Sequence, residues 1–425
     1  MRATMRILLV QPDQEQTMGL QQAARLEPLG LEMVAGALQG RHEVSLLDLR
    51  LNPDGLGSAL SSFRPDMVGI SSSFTVDTVR ALRIAQFAKE VDPDIFVFVG
   101  GHHATLRPVD FRHSAIDAIV LGEGEVTTRE MADCLEARQD LRLVPGLVIN
   151  NHEGQIHSPQ RIPIEDLDLL PWPARDLTLF YRHEYHMVLK SPIASMETAR
   201  GCPYRCRFCS VWLFYQKQVR YKSPSRVVEE LATISENRVF FTDDNFLCDG
   251  ARAEEIARLI RQRGIRKNYL MQMRSDAIVR HADVVARWRE IGLDSVFIGF
   301  EKPDQAGLES MAKHSSVEDN EKALEILRRL HIEPTVSFIV DPDWDRKDFR
   351  ALQKYVRSLK LRYVMFTVLT PLPGTKLFEE AKDHLTSVDY ELFDLCHALV
   401  PTRLPTWEFY QEMARLWRKV YPHWR

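Results

Sequence analysis

The sequence predicts an α/β protein: two successive parallel-sheet domains and a short helical tail. Three observations carry this. β-rich runs alternate with helical stretches over the first 145 residues, and a second alternating series starts near Ile193. The 425-residue chain is 45% hydrophobic, enough for two or three cores rather than one. The changes of pattern place a doubly wound parallel-sheet domain over 1–145 and a hairpin and linker over 146–192. A partial (β/α)6 barrel follows over 193–385, then a helical tail over 386–425.

In the first domain the candidate strands are Met5–Val10, Val44–Leu49, Met67–Ser71, Ile95–Gly100 and Ala118–Leu121, with helical patterns such as Leu31–Leu38 and Thr78–Glu90 between them. Such βαβ alternation implies a parallel sheet with helices on both faces, here of the Rossmann-like or flavodoxin-like kind. Ligands of these sheets bind beyond the carboxyl ends of the strands. Those ends carry Ser71, Ser72 and Thr75, then Gly100, Gly101, His102 and His103, then Gly122, Glu123 and Gly124. The glycines let backbone approach a flat ligand closely, and the hydroxyls suit its polar edges. The first βα turn, Gln11–Gly19, lacks the glycine-rich phosphate loop of a dinucleotide site.

From Pro145 the pattern changes. Gly146–Asn150 and Gln155–His157 read as a small hairpin, and the proline-rich, acidic stretch after it reads as an ordered linker that wraps the next domain. The second series has strands at Ala194–Thr198, Val239–Thr242, Tyr269–Arg274, Ser295–Phe300, Thr335–Val340 and Val364–Leu369. Helical stretches at Pro224–Glu236, Ala251–Arg263, Ala282–Ile291, Val317–Leu330 and Arg346–Leu359 separate them. Six units are two short of a closed eight-fold barrel, which predicts an open one. The tail from Pro405 reads as a helix rich in Trp and Tyr.

A formal net charge of -4 gives no support for a nucleic-acid partner. The amino-terminal apolar run is too short for a signal peptide, and no stretch reaches the roughly 18 apolar residues of a membrane span. The expectation is a cytoplasmic protein without a transmembrane segment.

Three of the six cysteines fall together in ETARGCPYRCRFCS, just after a predicted strand. Thiolates of Cys202, Cys206 and Cys209 at this C-x-x-x-C-x-x-C spacing can reach three corners of a [4Fe–4S] cube, leaving the fourth iron open to chelate a ligand. Zinc is the competing reading, but structural zinc takes four ligands in paired spacings, and Cys134, Cys248 and Cys396 are scattered.

This segment resembles the cluster loop of the radical S-adenosylmethionine superfamily. The resemblance implies that the open iron binds S-adenosylmethionine, whose reductive cleavage yields a 5′-deoxyadenosyl radical, and that Phe208 contacts the adenine. It also implies roles at later strand ends. Asp243, Asp244 and Asn245 stand where relatives grip the amino group, Arg274 suits the methionyl carboxylate, Glu301 the ribose, and Thr370 in TPLPGT closes the adenine side. An electron donor such as flavodoxin or ferredoxin is implied as well.

The amino-terminal pieces PLGLEMVAGAL, PDMVGISSSFT, FVGGHHATLRP and LGEGE resemble the cobalamin-binding domain that often precedes such a barrel. Many cobalamin proteins carry a cobalt-ligating histidine in an Asp-x-His-x-x-Gly motif; the corresponding loop here, SSSFTVDT, has none. The resemblance therefore implies cobalamin without a histidine on cobalt, with His102 and His103 as further candidate contacts. A scaffold that has lost its cofactor is the competing reading.

Cobalamin beside a radical barrel implies methylation of an unactivated carbon. Within the superfamily the cluster segment, FIVDPDW, FTVLTPLPGT and LPTWEFY resemble the hopanoid C-3 methylase branch. That implies a small hydrophobic polycyclic substrate, which would bring the protein to a membrane periphery. A non-methylating cyclase or rearranging enzyme and a non-catalytic cobalamin sensor are the alternatives. A methylthiotransferase needs a second cysteine cluster, and only Cys134 is available in the first domain.

Overall fold

The computed structural model describes residues 4–13, 24–187 and 190–421. Most of the turn Gln11–Gly19 lies outside them. The chain divides into two compact units, Met1–Ala194 and Ser195–Arg425.

The first unit is built on strands β1 (Arg6–Gln11), β2 (Glu43–Asp48), β3 (Met67–Ser71), β4 (Phe96–Gly100), β5 (Ala118–Val120), β6 (Leu147–Asn150) and β7 (Gln155–His157). Their order is β2-β1-β3-β4-β5-β6-β7. The first five are parallel, in the flavodoxin-like order, with Val10 beside both Leu47 and Ile70. The period of two in β1 sorts its side chains to two cores. Leu8 and Val10 pack with α2 (Gly55–Phe63) and α3 (Asp77–Val91); Ile7 and Leu9 pack with α1 (Leu29–Leu38) and α4 (Gly124–Glu136). Each fully buried Leu or Ile stabilises the unit by about 1.5–3 kcal/mol.

Two expectations change here. The hairpin read as part of the linker is β6 and β7, which extend the first sheet antiparallel from β5. The linker read as wrapping the next domain instead packs against the first unit. Trp172 lays its backbone across α1 at Gly36, where an added Cβ would lie 2.0 Å from the Trp172 carbonyl oxygen. Ala174 N donates to Glu32 O, Leu167 and Leu170 pack on Met33, and His186–Met187 pairs with Ala24–Arg25. The linker has apolar residues spaced to cover a surface, but its sequence does not say which surface.

The second unit holds β8 (Ala194–Met196), β9 (Arg238–Phe241), β10 (Asn268–Met273), β11 (Leu293–Glu301), β12 (Glu333–Val340) and β13 (Tyr363–Val368), in that spatial order. The neighbours from β9 to β13 are parallel. Between them run α5 (Pro224–Thr233), α6 (Gly250–Gln262), α7 (Ala282–Ile291), α8 (Val317–Arg329) and α9 (Arg346–Ser358). Helix starts are set by side-chain caps: Ser223 and Asp249 accept from the first turns of α5 and α6, and Ser316 and Asp345 form capping boxes on α8 and α9. Trp288 of α7 is fully buried against Phe241, Phe246 and Tyr269, and its indole N–H donates to Ala253 O. The closing helix α10 (Thr406–Val420) sets Phe409 against Phe349 and Trp417 against Phe366. No helix among the described residues is long and apolar enough to cross a membrane.

Candidate active site

In the second unit the three cysteines leave the sheet on a loop whose entrance only glycine can occupy. Gly201 has φ +92, and a Cβ there would lie 2.1 Å from Gln218 O. Just before it, Ala199–Arg200 pairs antiparallel with Arg220–Tyr221. Cys206 is buried, while Cys202 and Cys209 are half-buried. Phe208 is half-buried on the turn in which Cys209 N donates to Cys206 O at 3.1 Å.

Burial pushes all three thiols up, Cys209 to about 12. Cys202 lies in the electrostatic field of Cys206, Cys209 lies in the fields of both, and Lys313 and Arg274 favour the thiolate at Cys206. Three neighbouring thiols on one loop, buried or half-buried with cations beside them, are a donor set that fits a positively charged iron–sulfur core. Cys248, which the sequence set apart, also lies in the field of Cys202, and burial pushes it up to about 12.

The strand-end residues divide into two groups. Asp243 is 2% exposed, and its carboxylate accepts from Thr198 N at 2.6 Å, Ala199 N at 3.1 Å and the Thr198 hydroxyl. Asn245 is buried and accepts from Arg274 N. Thr370 donates to Val368 O at 3.0 Å. These three hold backbone. Asp244 faces the backbone of Gly201 in the cysteine loop instead; burial, then the like charges of Asp243 and Glu197, push it up to about 7.

Arg274 and Glu301 also reach the loop. Arg274 Nε donates to Asp276 at 2.8 Å and Nη2 to the Lys313 and His314 carbonyls at 2.7 and 3.1 Å. Nη1 is the guanidinium nitrogen without a protein partner among the described residues. Glu301 sits on a bulge, where the β11–β12 register shifts between Gly299 and Glu301. Its φ is +62 and its carboxylate lies 2.6 Å from Lys313 Nζ. Tyr204, Asp276, Lys313 and Thr198 were missed by sequence reasoning. Tyr204 and Asp276 lie inside motifs that were read for other residues, and Lys313 lies in a turn with no motif.

In the first unit the loops at the strand ends are tied to one another. Gly101 has φ +116, and a Cβ there would lie 2.8 Å from the Ser72 carbonyl, so this glycine lets two loops touch. Thr105 Oγ1 donates to Gly101 O and accepts from Gly122 N, tying the next loop in. Ser71 pairs with Ser73 at 3.2 Å. His103 is fully engaged: Nδ1 meets Thr75 Oγ1 at 3.2 Å and Nε2 meets Asp110 at 3.1 Å. Burial pushes the neighbouring His102 down to about 4. Glu123 accepts from Ile164 N in the linker, and Gly124 opens α4. Two features fit a large ligand with polar edges. Among the described residues the Ser72 hydroxyl is buried with no hydrogen-bond partner, and a Cβ at Gly122 would meet nothing within 4 Å.

Residues 17–132 match the B12 binding domain and residues 196–356 the Radical SAM superfamily. The hopanoid C-3 methylase of Methylococcus capsulatus is 37% identical over 403 residues, covering 93% of this chain and 77% of the relative. The chain belongs to the cobalamin-dependent radical S-adenosylmethionine methyltransferase family. An anaerobic magnesium-protoporphyrin IX monomethyl ester cyclase of Rubrivivax gelatinosus is 27% identical, covering 92% of this chain and 72% of the relative. The fold of this family member is also that of the radical S-adenosylmethionine methyltransferase TsrM from Kitasatospora setae, with TM-score 0.76, 18% identity and coverage of 98% and 89% of the two chains. The cofactors of the family are a [4Fe–4S] cluster, S-adenosylmethionine and cobalamin.

Proposed function

We propose that this chain transfers a methyl group from S-adenosylmethionine, by way of cobalamin, to an unactivated carbon of a hydrophobic polycyclic substrate of the hopanoid type. The single observation that carries the substrate class is the 37% identity to a hopanoid C-3 methylase across 93% of the chain. When bound, the cofactors supply one-electron cleavage of S-adenosylmethionine and a carrier for the methyl group.

Cys202, Cys206 and Cys209 would hold the cluster. Arg274 is locked by Asp276 and two carbonyls, and its uncommitted Nη1 would pair with the methionyl carboxylate. Asp244 beside Gly201 would accept from the amino group, and Glu301 from the ribose. Asp243 and Asn245 would act behind them, by fixing the loops on which Asp244 and Arg274 sit. In the first unit, Ser72, Thr75, Gly101 and Gly122 would receive cobalamin, while His103 stays with Thr75 and Asp110. A cytoplasmic setting, a flavodoxin or ferredoxin as donor and contact with a membrane periphery through the substrate belong to the same reading.

The test is anaerobic incubation of the cofactor-loaded protein with S-adenosylmethionine, a reductant and a hopane triterpenoid. The expected products are a substrate heavier by one methylene, with S-adenosylhomocysteine and 5′-deoxyadenosine in about equal amounts. 5′-Deoxyadenosine and altered substrate without S-adenosylhomocysteine would instead favour a non-methylating reaction, the reading to which the cyclase relative lends weight.

A further inference from the structure

Lys313 lies in the turn between the short helix Gln305–Ser310 and α8. The turn places two non-glycine residues in the left-handed region, Ala312 at φ 50 and His314 at φ 52. Such backbone persists where its surroundings hold it, and here they do. Arg207 N, in the cysteine loop, donates to Met311 O at 3.0 Å, and Arg274 Nη2 grips the Lys313 and His314 carbonyls.

The Lys313 side chain turns inward and is 8% exposed. Its ammonium meets the equally buried Glu301 over Gly299, where an added Cβ would lie 2.1 Å from Glu301 Oε1 and 2.9 Å from Lys313 Nζ. The missing side chain at Gly299, the bulge and the positive φ of Glu301 all serve to seat this one ion pair. The pair borders the cluster loop. The charges that act on the Cys206 sulfur are Lys313 and Arg274 on one side and Glu301 on the other.

We propose that Lys313 is a positioning residue that supplies positive charge at the Cys206 corner of the cluster, opposed by Glu301, so that the pair sets the cluster's reduction potential. Reduction adds one negative charge to the cluster–thiolate assembly. A fixed cation nearby stabilises the reduced form more than the oxidised one, and a fixed anion does the reverse, with little solvent to screen either. The inference rests on the cluster reading of the three cysteines.

The experiment uses full-length protein reconstituted anaerobically with iron and sulfide. Midpoint potentials are read from electron paramagnetic resonance during titration with dithionite. Lys313→Gln should move the midpoint to more negative values and Glu301→Gln to more positive ones, while Lys313→Arg, which keeps the charge, should stay near the parent. Unchanged potentials, or shifts of the same sign in Lys313→Gln and Glu301→Gln, overturn the proposal. Iron and sulfide per chain are measured alongside. A parent protein that assembles no cluster refutes the cluster reading instead. If Lys313→Gln alone fails to hold iron, the sign of the Glu301→Gln shift and the potential of Lys313→Arg decide the matter.

Discussion

Arg274 lies over Tyr204, its guanidinium carbon 3.5 Å from the ring centre, and both side chains end on Asp276. The Tyr204 hydroxyl and Arg274 Nε each donate to that carboxylate at 2.8 Å. The cysteine loop is thereby stacked on the residue at the end of β10. A desolvated cation–π contact contributes about 2 kcal/mol. Tyr204→Leu should therefore lower iron per chain after reconstitution and slow 5′-deoxyadenosine formation at least about tenfold. Tyr204→Phe keeps the stacking and should lose much less. Equal iron content and rate in both variants would separate Tyr204 from the site.

Replacing Cys202, Cys206 and Cys209 together with Ala should abolish the broad brown absorbance and all 5′-deoxyadenosine. Cys396→Ser should leave both in place. Cys248→Ser is the more informative control, because Cys248 lies in the field of Cys202 without belonging to the motif. Iron per chain equal to the parent is expected there, and a fall to the level of the triple variant would make Cys248 a ligand.

Cobalamin bound to the parent protein should show no histidine nitrogen on cobalt. Both ring nitrogens of His103 are engaged inside the protein. Electron paramagnetic resonance of the cob(II)alamin form should lack nitrogen superhyperfine splitting from an axial histidine. His103→Ala should leave that spectrum unchanged while lowering stability by about 1–3 kcal/mol, since Asp110 and Thr75 lose a buried partner.

Stability of the cofactor-free protein should fall as pH rises through the range between about 4.5 and 7. Glu32 is wholly buried, and burial, then its neighbour Glu27, push its carboxyl up to about 7. The folded chain holds that proton more tightly than the unfolded chain, so its stabilising effect is complete below the unfolded value and lost as pH passes the folded one. Glu32→Gln should remove this slope, a difference on the order of 3 kcal/mol between pH 4 and pH 8. Parallel pH profiles of melting temperature in the two proteins would count against it.

Much of this was legible in the residues. The parallel strands were readable because apolar runs bounded by turn residues leave few alternatives, and the cysteine loop because three thiols at fixed spacing leave fewer. What could not be read was which strand-end polar groups face outward. Asp243 and Asp244 are adjacent and chemically identical, yet one holds the Thr198–Ala199 backbone and the other reaches Gly201. That choice is made by where β9 ends relative to β8, a tertiary fact. His103 looked like a candidate contact until Thr75, 28 positions away, and Asp110 took its nitrogens. Lys313 carries no local pattern at all; its importance comes from the glycine and the bulge that receive it.

The Trp172 backbone lying against Gly36 has a consequence for anyone exchanging parts between relatives. A graft that ends after β7 would strip α1 of its cover and leave Glu27 and Glu32 facing each other without Arg175. The transferable module runs on to about residue 187, and its join to a new partner belongs in the few residues before Ala194.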